Sequence, residues 1–313
     1  MELLSQGLPV LLSQSNISQY QDTFLEVIMP FIIALLAPVF WGTTYALVSL
    51  YLHDMSPYWV AVWRALPAGI LMLMLRPRLP TLVWSKLGLL AFCNIGAFFA
   101  LLFIGAYRLP GAVAGTLGAT LPLIFLILAW LIDKKRPGMK WLLLGLMGLG
   151  GVILLLNPSA DLDPIGVLCM LSATTLIAFS SRWMQKWDVG DFLVLTAWQL
   201  LLGGLMLIPL AWFMAGPPQL PSMTLVPSLI WLVIANTAVA YWAWLWSMRN
   251  LGPEIMGMVA LVNPVVAVSL GVMIVGETLD MRQWMGIAVI LLSLLLMKLP
   301  QNLRLNPFKK VQP

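Results

Sequence analysis

Residues 30–51 read PFIIALLAPVFWGTTYALVSLY, a stretch without one charged side chain. About 20 residues at a rise of ~1.5 Å cross a hydrocarbon core of ~30 Å, so this stretch can span a bilayer. It is not alone. Apolar runs of similar length follow at 58–75, 84–106, 111–132 and 139–156, then at 164–183, 192–214, 225–248, 255–275 and 284–299. The connections are short and marked by Pro or Gly, as in RPRLP from Arg76 and GPP from Gly216. The chain is 61% hydrophobic and 9% charged, too little charge to cover a soluble surface, so the apolar runs face lipid. The predicted fold class is an all-α integral membrane protein with ten transmembrane helices.

Basic residues set the expected orientation. Of the 17 Lys and Arg, Arg108 and Arg282 fall outside when the N-terminus is cytoplasmic and Arg64 lies within a span; the remaining 14 fall inside. A bias of this kind places both termini in the cytoplasm of a bacterial inner membrane. The same scatter argues against nucleic acid as a partner, because no basic patch is interleaved with aromatics. The expected partners are a small-molecule substrate and the lipid bilayer, with the protein a monomer or homodimer.

Residues 1–28 contain Glu2, Asp22 and Glu26 but no Lys or Arg, so they lack the basic start of a signal peptide. They are expected to be a mobile or non-native extension. Residues 29–157 and 158–300 form two repeats, and 301–313 a cytoplasmic tail. WGTTYALVS at Trp41 matches SATTLIAFS at Ser172; Trp63-Arg64 followed by Gly69 matches Trp198-Gln199 followed by Gly204. Asn94 falls opposite Asn236, Pro122 opposite Pro264, and Trp141 opposite Trp284. With five spans per half, the second half inserts upside down, giving two inverted five-helix repeats. That architecture suits alternating access, with a site near the midplane.

The stretches APVFWGTTY from Ala37, WRALPAGILML from Trp63, LPGAVAGTLGATLPL from Leu109, LGPEIMGMVALVNPVVAVSLGVMIVGETL from Leu251 and WMGIAVILLSLLLM from Trp284 resemble the EamA-type branch of the drug/metabolite transporter superfamily. The WRALPAG segment and the early WG-x-T-Y make it look closest to the PecM-type exporters. The resemblance covers residues 30–299 and implies a secondary exporter of amino acids or related amphipathic or aromatic metabolites; the alternatives are a facilitative or uptake carrier of the same fold and, further off, a membrane-embedded enzyme or a scaffold that transports nothing. One departure stands out. Members often carry Gly-Glu after the fourth span, where this chain has Asp133-Lys134; the second half keeps Gly276-Glu277.

Arg64 sits within span two, roughly 9 Å below the outer boundary. A charge there costs several kcal/mol unless it meets water or a partner. It is either a fork for a substrate carboxylate or carbonyl, or an arginine that snorkels outward or ties off a helix end. Its repeat partner Gln199 is uncharged. Trp41 and Tyr45 share a face of span one, and span eight runs Asn236-Thr237 and then Tyr241-Trp242-Ala243-Trp244. Together with Trp63 and Asn94, these residues can line a cavity for an aromatic substrate, although Trp also gathers at membrane interfaces. Glu277, His53 and Asp54 lie at outer span ends, where they either exchange protons or simply cap helices. Spans four and nine are interrupted by Gly and Pro at matching positions, a pointer to a transporter site. GLMGLGG from Gly145 reads as a packing or dimer surface.

No metal and no cofactor are expected. His53, Cys93 and Cys169 are too few and too scattered for a metal site, and no phosphate-cradling GxxxxGK[ST] motif exists for ATP. No acid, His or Ser cluster inside the spans suggests an enzyme.

Overall fold

The computed structural model describes residues 14–132, 134, 139–155, 162–218 and 220–298. The start of the N-terminal extension, Asp133, and the tail at 301–313 lie outside them. Every regular element among the described residues is helical. Six helical stretches are long and apolar enough to cross a membrane: Met29–Leu52, Pro57–Leu75, Trp84–Arg108, Pro164–Met184, Phe192–Ala215 and Val226–Ser247.

The remaining expected spans are short or broken. Span four splits into α5 (Gly111–Gly118) and α6 (Leu121–Leu131) at a turn through Ala119 and Thr120. Pro122 has no N–H to offer the Gly118 carbonyl, so the helix restarts with the proline in its first turn. In the second half, α11 (Ala240–Val259) gives way to α12 (Val262–Leu270) at Ala260 and Leu261. Pro264 likewise cannot bond the Ala260 carbonyl. The connection expected at 249–254 is corrected by this: helix continues through it, and the break falls at Ala260 and Leu261, before Pro264. Spans five and ten are α7 (Met139–Leu155) and α13 (Met281–Lys298). At 17 residues, α7 reaches only about 26 Å.

Among the described residues, four helical turns are π rather than α. Val48–Leu52 continues α1 (Gln14–Leu47), and Gly271–Val275 continues α12. Phe92–Gly96 joins α3 (Trp84–Ala91) to α4 (Ala97–Arg108), while Ile234–Val239 joins α10 (Val226–Val233) to α11. Element starts recur at one spacing: Trp84 and Val226, Phe92 and Ile234, and Met139 and Met281 are each 142 residues apart. α1 also begins at Gln14, so the first membrane helix extends back into residues assigned to the extension.

Packing follows the same exchange of halves. α2 (Pro57–Leu75) packs along α9 (Phe192–Ala215), and α7 along α13. α1 lies against α11 and α12, whereas α8 (Pro164–Lys186) lies against α4, α5 and α6. In lipid, burial of apolar area gives little drive for helix association, so close backbone approach matters more. At the α2–α9 crossing, a Cβ on Gly69 would stand 2.6 Å from the Leu201 backbone nitrogen. One on Gly204 would meet the Leu66 side chain at 2.7 Å, and these two glycines occupy corresponding places in the repeats. The GLMGLGG surface is used within the chain: Gly148 faces Leu123 and Ser293, and Gly151 faces Ile290.

Candidate substrate site

The π turn at Ile234–Val239 is where the polar side chains of the first half converge. A π turn inserts one residue and disturbs the regular ladder, so backbone groups can turn to other partners. The Asn236 carbonyl accepts from Trp41 Nε1 at 3.0 Å and from Arg64 Nη2 at 3.3 Å. The Asn236 side chain donates to Thr44 Oγ1 at 2.7 Å and accepts from Thr43 Oγ1 at 3.3 Å. Thr237 donates to the Leu232 carbonyl at 2.8 Å and accepts from Arg64 Nε at 3.1 Å.

Arg64 is 4% exposed. Its guanidinium carbon lies 4.5 Å from the centre of the Phe99 ring and 5.8 Å from that of Phe103. A hydrogen bond to a charged group contributes about 1.5–3 kcal/mol, and a desolvated cation–π contact about 2 kcal/mol. These offset the cost of burying the charge without cancelling it. The ionisable groups facing Arg64 are the phenols of Tyr45 and Tyr241, and none of the described ion pairs includes it. A buried cation with neutral neighbours is a ready receptor for an anion.

Aromatic rings extend the wall. Trp41 lies 5.7 Å from Tyr241 and 5.4 Å from Trp244, centre to centre. Tyr45 is buried, with its ring packed against Gly115 of α5.

A second cluster mirrors the first. Asn94, on the π turn Phe92–Gly96, donates to Gln199 Oε1 at 2.7 Å and accepts from the Ser180 hydroxyl. Asn236 is thus held by spans one and two of the opposite half, and Asn94 by spans six and seven. Asn94 and Asn236 are 142 residues apart, and Arg64 and Gln199 are 135 apart. One cluster carries a cation and the other is neutral.

Not every expected site residue joins these clusters. Trp242 lies outside the Arg64 cluster: it is 43% exposed and stacks on Trp246, because it occupies a different face of α11 from Tyr241 and Trp244. Trp63 lines a groove of about 620 Å³ on the flank of α2, with Leu66, Pro67 and Ile208. His53 and Asp54 pair at 3.2 Å with both side chains largely exposed. Glu277 accepts from the backbone N–H of Gly111 at 2.5 Å and of Ala112 at 3.0 Å, clasping the start of α5. Both donors are unpaired first-turn groups, and a carboxylate suits the positive end of a helix. At the same end of the molecule, Arg108 bonds Asp163, which holds the Asp163 carboxyl below the usual carboxylate range.

Thr43, Thr44 and Ser180 carried no individual signal in the sequence. They lie in WGTTYALVS and SATTLIAFS, the segments that match one another, so the repeat itself was the clue.

The fold is that of a multi-pass helical membrane protein, and its family makes it a transporter. The chain belongs to the EamA-like transporter family, which matches residues 28–157 and 164–299. It is similar to protein PecM of Dickeya dadantii strain 3937, with 34% identity over 286 residues covering 90% of this chain and 95% of that one. The inner membrane transporter YedA of Escherichia coli K12 is 29% identical over 278 residues, 85% of this chain and 89% of YedA. A solved crystal structure superimposes with a TM-score of 0.63 over 87% of this chain and 98% of that chain, at 17% sequence identity, a likeness of fold.

Proposed function

We propose that this protein is a secondary transporter that exports small organic metabolites, amino acids or related amphipathic and aromatic compounds, across the cytoplasmic membrane. Two inverted five-span halves alternate around the Arg64 cluster, with both termini in the cytoplasm. Arg64 grips the carboxylate or carbonyl end of the substrate, and Trp41, Tyr45 and Asn236 hold its body. Asn94 and Gln199 serve from the mirrored side.

The observation that carries this reading is the buried, uncompensated Arg64 joined across the repeat boundary to the Asn236–Thr237 turn. Hinges at matching prolines and a mirrored pair of π turns support motion of one half against the other. The test compares metabolites released by cells that express the wild-type chain, Arg64→Gln, or neither. The expected result is a set of organic compounds enriched outside wild-type cells and absent from the other two media. Identical media from all three strains would contradict the reading.

A further inference from the structure

The groups around Arg64 restrict the charge of whatever binds there. Facing it are Trp41, Thr43, Thr44 and Tyr45 from α1, Phe99 and Phe103 from α4, Asn236 and Thr237 from the π turn, and Tyr241 from α11. A zwitterion would need acceptors for its ammonium group as well as a donor for its carboxylate. Here no acceptor is anionic, and the backbone one is already engaged. The Asn236 carbonyl takes two donors, Thr237 accepts from Arg64 itself, and Thr43 shares its hydroxyl proton between the Phe40 carbonyl at 2.7 Å and the Asn236 side-chain oxygen at 3.3 Å.

Glu277 does not fill that role. It clasps the start of α5 through two backbone N–H groups, and the ionisable groups that face Arg64 are Tyr45 and Tyr241, not this acid. The mirrored cluster of Asn94, Ser180 and Gln199 adds no charge. The two clusters together therefore present one positive charge to a ligand. A cationic ligand would be repelled, while a single anion brings the bound state to neutrality.

Resting on the reading of Arg64 as a substrate residue, we propose a narrower class than the one above: not the zwitterionic amino acids but their related monoanions, with an aromatic or similarly flat body and no cationic group, so that each cycle moves one negative charge. If Arg64 travels through the field with the empty carrier, the net charge per cycle is still that of the substrate. Since the cell interior is negative, the membrane potential alone then drives export. The limit is an outward concentration ratio of about 50-fold for each 100 mV.

The test uses three probes that share a phenyl ring: phenylpyruvate as anion, phenylalanine as zwitterion and phenethylamine as cation. Proteoliposomes carrying wild type, Arg64→Lys or Arg64→Gln receive either an inside-positive potassium diffusion potential or a pH gradient at zero potential. The expected result is wild-type accumulation of phenylpyruvate under the potential and not under the pH gradient alone. Phenylalanine and phenethylamine should not accumulate, Arg64→Lys should keep part of the phenylpyruvate flux, and Arg64→Gln should lose at least about 10-fold. Phenylalanine carried as fast as phenylpyruvate, and lost in Arg64→Gln, would overturn the charge assignment while leaving Arg64 in the site. Full phenylpyruvate flux in Arg64→Gln would overturn the site itself. Accumulation under the pH gradient alone, or transport of none of the three probes, would also overturn the proposal.

Discussion

Glu277 shows how a single side chain can join two halves of a membrane protein. Both carboxylate oxygens are bonded to the first N–H groups of α5, and a Cβ on Gly271 would lie 2.4 Å from Oε2, so a glycine there leaves the acid room. Gln at this position keeps one acceptor but turns its amide N–H groups toward the second backbone donor. Loss of one charge-assisted bond is expected to cost Glu277→Gln about 1.5–3 kcal/mol, seen as a lower Tm of the purified protein in detergent. If Glu277 only clasps α5, the pH profile of transport is unchanged in this variant. A flattened pH profile with unaltered Tm would assign it to proton exchange instead. Sequence places this acid at an outer span end, where capping is the commoner role and proton exchange also fits its chemistry. Only the geometry names the two amides it holds. Arg64 was legible because any charge within a span is costly, whereas Thr43, Thr44 and Ser180 were not, since small hydroxyl residues satisfy themselves in helices at little cost.

At the level of elements, the pair α2 and α9 is a long join between the halves, and it depends on backbone contact. A Cβ on Gly69 falls within 3.0 Å of three backbone atoms of Leu200 and Leu201, which belong to a helix that cannot shift locally. Gly69→Val is therefore expected to destabilise the protein by about 1–3 kcal/mol or to prevent its recovery in folded form. Gly88→Ala is the control, because a Cβ there meets nothing within 4 Å. Thermal unfolding of the two variants beside wild type checks this, and equal Tm values for Gly69→Val and wild type would refute the close approach. The long spans and the breaks before Pro122 and Pro264 could be read from hydropathy and from the missing proline N–H. The π turns could not. Hydrophobic periodicity is blind to one inserted residue, and only the 142-residue spacing of Asn94 and Asn236 hinted that both positions were special.

For the whole molecule, elements pack across the two halves: α2 with α9, α7 with α13, and α1 with α11 and α12 where α8 meets α4 and α5. Such an arrangement lets each half grip the other's π turn, so the candidate substrate site and the junction between halves share contacts. Orientation in the membrane comes from the basic residues alone and has no counterpart in helix packing, which is unchanged by turning the molecule over. The claim on which the rest depends is that Arg64 meets the substrate during transport. Its most direct test is the concentration dependence of flux in proteoliposomes for wild type, Arg64→Lys and Arg64→Gln, using a compound from the wild-type medium. At equal reconstitution, Lys should raise the half-saturating concentration, because it keeps the charge but loses the two-pronged geometry, and Gln should weaken binding about 10- to 150-fold. Unaltered half-saturation and flux in Arg64→Gln would contradict the account.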